Sequence, residues 1–463
     1  MSGHQLQTPC WPVACALCVI LPLAGGVWAQ PLSASSAEVK RQVDDAFRDV
    51  LTKADSMNAR LKYANLLVQA GNFEGGIAAL EGLLLSPTAP ASIRVELAVL
   101  YYRLGSYAMS ETYLNDAIAD PRLDSTLKKQ AERVLQDVVR RNRVSALSGT
   151  LMVGLRTQSN PTAATASNQV LSNGVLVRTE DRARPKSDSS GQLWGKIDHV
   201  YDFDAQNEAS LMTSVVGLVD HYASVDSYAY IPGSVKPFDL ATFQGSTGIR
   251  FKPSPLGWPG LTLRPHLLFG HTQLNGHKYF SSSGGGLEGN YRVNDRLTWS
   301  GQYAAKNFSY ATRPDIVDSA LQTGLEHLAQ VRAVVEVGVN KVMVGEAGFV
   351  DHGAKRGDFE FSGPQAMLAY VVTYADPTAL TGHNWTMSIV GSVLQRRYRA
   401  ANPVVDSTTA RLDTVRKLTL QNVMHISRDV SLQLQFDYTD GSSNLPNYVY
   451  SNRSSSVNVF WNF

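Results

Sequence analysis

The residues of this chain that could do chemistry form no arrangement typical of an enzyme. The glycine-rich run at 284–289 has the spacing of a dinucleotide-binding loop, in which glycines let the backbone approach a pyrophosphate. Such a loop must open a helix, whereas these glycines lie in a segment with strand character, so we reject the match. His266 and His271 are an odd number of residues apart, which would place them on opposite faces of a strand, where they cannot share a metal ion.

Other catalytic signatures are absent from the sequence. No Gly-x-Ser-x-Gly, His-Glu-x-x-His or Walker motif occurs. Cys10, Cys15 and Cys18 all lie before residue 30, so we expect no disulfide framework, Cys-ligated metal or thiol nucleophile in the rest of the chain. We therefore expect no enzymatic activity, no metal and no cofactor. The formal charge of +2 argues against a nucleic-acid partner, which would select a larger basic excess.

A second set of polar residues alternates with apolar ones in the last two thirds of the chain. Leu434 and Phe436, for example, alternate with Gln433, Gln435 and Asp437. If such segments are strands of one barrel, the polar side chains project into its lumen. The candidate lumen-lining residues are Arg156, Gln158, Lys306, Glu336, Arg396, Lys417, Gln433, Gln435 and Asp437. Their mixed signs argue against a simple ion-selective pore. They could line a transport path or plug a narrow interior by bonding to one another.

The connections between these segments indicate the kind of β-protein. Fourteen strands can be placed, starting near residues 147, 189, 207, 239, 261, 279, 295, 317, 333, 358, 384, 410, 429 and 453. Long polar connections such as 159–187 alternate with tight ones such as Ser427–Asp429. This pattern predicts a 14-stranded antiparallel transmembrane β-barrel, with a soluble β-sandwich as the alternative. Pro364 would require a bulge or a strand boundary.

The last segment has an apolar face ending in aromatic residues. That face carries Val457, Val459, Trp461 and Phe463, and the opposite face is polar except for Phe460. An apolar final strand would be a liability as the edge of a soluble sheet. The segment resembles the terminal strand of bacterial outer-membrane barrels, which implies that these four residues form the signal for the barrel-assembly machinery.

The first third of the chain is helical and contains an internal repeat. Matching residues recur at a period of 34: Ala64 and Ala98, Gly71 and Gly105, Phe73 and Tyr107, Leu80 and Leu114, and Pro87 and Pro121. The glycine allows a tight turn between two helices, and the proline ends the second helix. Gly71, Phe73, Pro87, Gly105, Tyr107 and Pro121 thus form the signature of a repeat that resembles the tetratricopeptide repeat. Gly76 and Ser110 depart from the alanine usual there. Such repeats offer a concave protein-binding surface, although a rigid spacer would look the same.

The order of these parts gives the domain organisation. Residues 13–27 form an apolar run before Val27-Trp28-Ala29, which predicts a signal peptide over 1–29, although no Lys or Arg precedes the run. We expect a periplasmic tetratricopeptide-like helical domain over 30–145 and an outer-membrane barrel over 146–463.

This arrangement is similar to one known family. A signal peptide, such repeats, a barrel and the Ser159-Asn160-Pro161 exit from the first strand resemble the surface lipoprotein assembly modifier family. The resemblance implies a protein of the Gram-negative outer membrane whose helical domain binds a client in the periplasm and whose barrel delivers it to the cell surface. The client would be a lipoprotein or another protein. Two alternatives stay open. One is an exopolysaccharide export porin, whose conduit should have an aromatic or one-signed lining, and the other is a passive diffusion porin.

Overall fold

A computed structural model describes residues 36–53, 56–70, 72–84, 89–203, 209–223, 238–253, 257–258, 260–379 and 381–463. The predicted signal peptide, Gly71 and Pro87 lie outside the described residues. The chain divides into two compact units, one of helices and one of strands. Among the described residues, no helix is both long enough and apolar enough to cross a bilayer.

The helical unit is a succession of short helices. They are α1 (Ser36–Thr52), α2 (Met57–Gln69), α3 (Phe73–Leu84), α4 (Ser92–Arg103), α5 (Tyr107–Ala119) and α6 (Ser125–Arg141). Each helix packs against the next one in the sequence. Residues at matched repeat positions are buried alike, since Ala64 and Ala98 are fully buried, as are Leu80 and Leu114. Gly105 has a φ of 78°, a left-handed conformation that favours glycine after the end of α4.

The two departures from the repeat pattern lie where helices approach most closely. A Cβ at Gly76 would lie 2.8 Å from Val68 Cγ2, so the contact between α2 and α3 has no room for a larger residue. The equivalent residue in the next pair, Ser110, is buried and donates a hydrogen bond to the Ala98 carbonyl oxygen at 2.7 Å. Both positions therefore select small side chains for the same geometric reason.

The second unit is a closed antiparallel barrel. Its strands are β1 (Ser145–Gln158), β4 (Asp188–Asp202), β5 (Ala209–Tyr222), β6 (Leu240–Phe251), β7 (Leu261–Leu274), β8 (His277–Asn294), β9 (Leu297–Tyr310), β10 (Gly324–Gly338), β11 (Lys341–His352), β12 (Phe361–Tyr374), β13 (Trp385–Ala401), β14 (Ala410–His425), β15 (Val430–Ser443) and β16 (Tyr450–Asn462). Neighbours in sequence are neighbours in the barrel, and β1 pairs with β16 to close it. The prediction of 14 antiparallel barrel strands is confirmed, and the sandwich alternative is wrong.

The connections at the two ends of the barrel differ in length. One end carries 159–187, 223–239, 311–323, 353–360, 402–409 and 444–449, together with a tight turn at Asn275-Gly276. The other end has two-residue turns at 295–296 and 339–340, together with longer connections at 252–260 and 375–384. We call these the long-loop end and the short-turn end. The first loop contains a small hairpin, β2 (Gln169–Ser172) and β3 (Val175–Arg178), which the sequence analysis did not predict.

Two details of the predicted strand pattern are wrong. The strands expected near residues 317 and 333 begin at Gly324 and Lys341, because the backbone turns at Asn340, whose φ is 60°. Valine alternation up to Val339 had suggested a strand running through this turn. Pro364 lies within β12 without a bulge, since the register with β13 is the same on both sides of it. No ladder pair forms with β13 at Gly363 or Pro364, which accommodates the missing N–H donor.

Candidate functional site: the barrel interior

The two faces of the barrel wall differ in polarity. Val457, Val459, Trp461 and Phe463 point outward and keep between 47% and 51% of their surface exposed. On the same strand, Ser454, Ser456, Asn458 and Phe460 point inward and are buried. Exposed apolar residues recur on the outer face of the other strands, among them Leu155, Tyr303, Phe349 and Leu418. An outer surface of this kind is suited to a hydrocarbon environment, and the closed ladder leaves no unpaired edge within it.

The nine candidate lumen residues all lie on the inward face. Continuous register from strand to strand connects them to the buried face of β16, for example through Gln435 opposite Ser456. Glu336 is the outlier, because it is exposed and lies beside a register shift next to the short turn. The register thus brings Lys417, Gln433, Gln435 and Asp437 together and places Lys306 and Arg396 elsewhere on the wall.

A group of inward polar residues on β14, β15 and β16 forms what we call the polar wall. They are Lys417, Thr419, Gln421, Gln433, Gln435, Asp437, Ser454, Ser456 and Asn458. Asp437 is at its centre and is buried. Its carboxylate accepts hydrogen bonds from Thr419 at 2.6 Å, Gln435 at 2.9 Å and Ser454 at 3.0 Å, and Lys417 Nζ lies 3.0 Å away. A buried carboxylate with this many donors is satisfied within the wall.

The network continues along the same strands. Asn458 Nδ2 donates to Gln433 Oε1 at 2.9 Å, and Gln433 Nε2 donates to Gln421 Oε1 at 3.1 Å. Gln158 on β1 donates to the Tyr222 hydroxyl at 3.0 Å and accepts from Asn452 Nδ2 at 3.0 Å. The polar side chains of this part of the interior therefore bond to one another along the wall.

A second part of the interior is built from rings, which we call the aromatic arc. Near the long-loop end, it comprises Phe280, Phe308, Tyr310, His352, Phe361 and Tyr398. Ring centroids are 5.3 Å apart for Phe280 and Phe308, 5.7 Å for Phe308 and His352, and 5.6 Å for Phe361 and Tyr398. His352 and Phe361 stack at 5.1 Å with ring planes 18° apart. The rings come from five of the six strands β8 to β13, and their contacts form a continuous series past β10.

Cationic side chains lie on the faces of these rings. Lys306 Nζ is 5.2 Å from the Phe308 centroid, and Arg396 Cζ is 5.0 Å from that of Phe361. These distances allow cation–π attraction. Lys306 also lies 3.3 Å from Glu326 Oε1, and His352 Nδ1 lies 3.4 Å from the other Glu326 oxygen. The arc thus combines ring faces with two cationic groups, of which Lys306 is paired with Glu326.

A loop folds against one end of the arc. Ile316, in the 311–323 loop, is buried in a cluster with Leu240, Leu274 and Phe280. The loop is held by Arg313, which donates to the carbonyl oxygens of Leu274 at 2.9 Å and His277 at 3.0 Å. Arg313 also pairs with Asp315, and the hydrogen bonds from its guanidinium lower the pKa of the Asp315 carboxyl. The 311–323 loop is therefore held in place by specific contacts and forms part of the interior surface.

Sequence analysis missed the aromatic arc, although the signal was present. Residues two apart in a strand share a face, so an inward Lys306 requires an inward Phe308, and an inward Arg396 requires an inward Tyr398. The candidate lumen residues are all polar, and polarity alone does not identify an inward ring.

The glycine-rich run and the two histidines considered as possible binding motifs lie within barrel strands. The glycines at 284–289 lie inside β8, and a Cβ at Gly284 would lie 2.8 Å from Lys306 Cα on the neighbouring strand. His266 is buried on the inward face, and His271 is on the outward one. Within the described part of the chain, no group of three or more His, Cys, Asp or Glu residues could hold a metal ion.

Comparisons with known proteins give no closer assignment. No family model and no curated protein matches the chain. Among solved structures, a Pseudomonas aeruginosa FadL homologue aligns at 9% identity over 68% of this chain and 90% of that one, with a TM-score of 0.39. The Pseudomonas putida toluene transporter TodX aligns at 11% identity over 68% and 89%, with a TM-score of 0.32. Pseudomonas putida OprB aligns at 9% identity over 71% and 96%, with a TM-score of 0.35. These TM-scores are too low to establish a shared topology, so the barrel assignment rests on the closed strand order.

Proposed function

We propose that this protein is an outer-membrane translocation protein of the surface lipoprotein assembly modifier type. Its helical unit captures a client in the periplasm, and its barrel delivers that client, a lipoprotein or another protein, to the cell surface. The Gram-negative outer-membrane bilayer and the barrel-assembly machinery are its other partners. The proposal includes a periplasmic location for the helices and no enzymatic role.

The observation that carries the proposal is the succession of a helical repeat unit and a closed barrel in one chain. Membrane-spanning barrels form channels and transporters. The helices pack sequentially and have matched buried residues at a period of 34, as the helices of repeat arrays do. Such arrays commonly bind proteins. A simple pore has no need of such a unit, so its presence favours a macromolecular client.

The charge balance of the interior also supports a polypeptide client. Inward cations lie beside inward carboxylates in the pairs Arg264–Glu288, Lys306–Glu326, Arg332–Glu346 and Lys417–Asp437. Such a lining has no strong field of one sign. It is therefore suited to a client with mixed charges more than to a polyanion.

The test is removal of the helices with the barrel left intact. Deleting 37–143 behind the leader should leave the barrel assembled but abolish surface display of the client, measured by protease accessibility on whole cells. Deletion of the hairpin 169–178 is the control, because it also removes a segment that is not part of the barrel wall. The protein without this hairpin should still display the client. Unchanged display without the helices would contradict the proposal.

A second candidate is export of an exopolysaccharide, and the aromatic arc favours it. Sugar rings stack on aromatic faces, and three rings of the arc, those of Phe308, Tyr310 and Phe361, are partly exposed in the interior. This candidate predicts that loss of the protein abolishes secreted polysaccharide and leaves surface lipoproteins in place. A passive porin would instead give solute permeability that survives removal of the helices.

The terminal strand supports a separate proposal about assembly. Val457, Val459, Trp461 and Phe463 form a continuous outward face, and the rings of the last two are 5.1 Å apart. We propose that the barrel-assembly machinery recognises this face. Removal of Phe463 should lower the amount of folded barrel in outer-membrane fractions, whereas Val339→Ser, at an exposed turn, should not.

A further inference from the structure

A group of arginines lies on the outer face of the barrel towards the long-loop end. Arg397 on β13, Arg416 on β14 and Arg453 on β16 are exposed, and the register gives each an outward side chain. We call these three residues the arginine cluster. Each lies on the long-loop side of an exposed outward aliphatic residue of its own strand, namely Val393, Leu418 and Val457. The cluster therefore lies at the border of the apolar outer surface.

Two of these guanidinium groups have no anionic partner within the described part of the chain. Neither Arg397 nor Arg453 forms an ion pair with a described carboxylate, whereas Arg416 Nη1 lies 3.4 Å from Asp440 Oδ2. The neighbouring Arg399 differs, because it pairs with Asp351 at 2.8 Å and Glu360 at 3.2 Å. The cluster thus keeps an excess of positive charge where polar and apolar surroundings meet.

The cluster is confined to one side of the barrel. Among the described residues, the outward positions at this border on β5 to β12 carry one lysine, Lys278 on β8, and no arginine. The other positions there have residues such as Val219, Gln273, Asn307 and Pro364. A general attraction to an anionic surface would require no such asymmetry. One localised group of guanidinium ions indicates a localised anion.

The spacing of the three residues fits a headgroup with more than one anionic group. Arg397 is level with Leu412, which is four residues, or about 13 Å, from Arg416 along β14. Arg416 is level with Asp440 on β15 and with Ser451 on β16. Arg453 is two residues from Ser451, which places it about 7 Å nearer the short-turn end and about 10 Å across the sheet from Arg416. From these positions the three side chains can reach across the outer surface towards one bound molecule. Their planar guanidinium groups match the geometry of phosphate oxygens.

We propose that the arginine cluster binds the phosphorylated headgroup of a glycolipid of the outer leaflet, while the aliphatic residues beside it contact the acyl chains. This inference rests on the proposed outer-membrane location and on the long loops facing the cell exterior, and it is independent of the client. Guanidinium–phosphate contacts at the edge of hydrocarbon are stronger than in open water, because the local dielectric is lower.

The test measures binding of diphosphorylated lipid A to the full-length protein in detergent micelles. Arg397→Gln combined with Arg453→Gln should weaken binding by about tenfold or more, since hydrogen bonds to charged groups are lost at two sites. Lys341→Gln and Arg428→Gln at the short-turn end are matched controls and should bind as the wild type does. Lipid A without phosphates should bind weakly to every variant, and phosphatidylglycerol should compete poorly.

Three results would overturn the inference. They are equal binding by the double variant, equal weakening by the short-turn controls, and equal competition by phosphatidylglycerol, which would show only general affinity for anionic lipid. If the glutamine variant does not assemble, Arg397→Lys with Arg453→Lys keeps the charge and loses the planar fork. Its binding should then fall below that of the wild type, and wild-type affinity would contradict the proposal. Failure of client delivery would leave all these outcomes unaffected.

Discussion

The polar wall and the aromatic arc are parts of one barrel interior, yet they are stabilised in different ways. In the polar wall, Asp437 receives several donors, and each neighbouring side chain bonds to another along the sheet. In the aromatic arc, rings such as Phe280 pack against one another, and the 311–323 loop covers part of them. The difference shows that one side of the barrel interior is lined by hydrogen-bonded polar side chains and the other side by packed rings.

The two regions should therefore respond differently to the loss of one side chain. A polar network fails when a central partner is removed, because its donors stay buried without acceptors. A packed aromatic cluster loses contacts in proportion to the volume removed.

The largest effect is expected from Asp437→Ala in the polar wall. The substitution leaves Lys417 and three hydrogen-bond donors without their acceptor and should lower the free energy of unfolding by about 3–5 kcal/mol. Urea unfolding of the full chain in micelles measures it. Adding Lys417→Met should recover part of the loss. A cost below about 1 kcal/mol would mean that the wall is not held by this carboxylate.

Phe280→Ala tests the aromatic arc in the same assay. The ring is buried and contacts Phe308 and Tyr310, so its loss should cost about 3 kcal/mol. Phe280→Leu retains most of the volume and is the matched control, with a smaller expected loss. Salt should leave the cost of Phe280→Ala unchanged. A strong salt dependence would show that the arc is stabilised electrostatically.

Lys306→Met probes the charge that borders the arc. Its expected cost is about 1–2 kcal/mol, below that of Asp437→Ala, because Glu326 keeps His352 beside it and Lys306 is partly exposed. Outward Lys278→Met is the control for loss of a lysine near the same end of the barrel. A cost equal to that of Asp437→Ala would remove the distinction between the two regions.

The smallest effect is a pH dependence of the 311–323 loop. Arg313 lowers the pKa of Asp315 in the folded protein, so the stabilisation is present above the ordinary pKa of an aspartate and is lost as the pH falls through the lowered value. Hydrogen exchange in this loop, corrected for intrinsic rates, should therefore rise between pH 5 and pH 3. Asp315→Asn should show raised exchange at both pH values. No change in the wild type would contradict a role for the pair in holding the loop.

Sequence alternation predicted most of the barrel because the side-chain period of a strand is fixed by backbone geometry. The alternation predicted the start of the second barrel strand near residue 189 and the last tight turn at Ser427–Asp429. Both predictions lie within a few residues of the observed bounds. The prediction failed near Val339, where apolar alternation continued into a turn whose left-handed Asn340 was the stronger signal.

The interior was harder to predict than the strands. Which residues point inward follows from parity, but which of them bond to each other depends on register between strands far apart in the sequence. Gln158 and Asn452, for example, meet only because β1 closes on β16. The aromatic arc was missed because side-chain polarity was used in place of parity.

Photocrosslinking in cells tests whether the barrel interior carries a protein client captured by the helices. A photoreactive residue at Gln330, which is inward on β10, is compared with one at Leu418, which is outward and exposed. A client in the lumen should give a crosslinked polypeptide at Gln330 that is absent at Leu418 and disappears when 37–143 is deleted. Crosslinks at Gln330 to carbohydrate alone, or polypeptide crosslinks that persist without the helices, would contradict it.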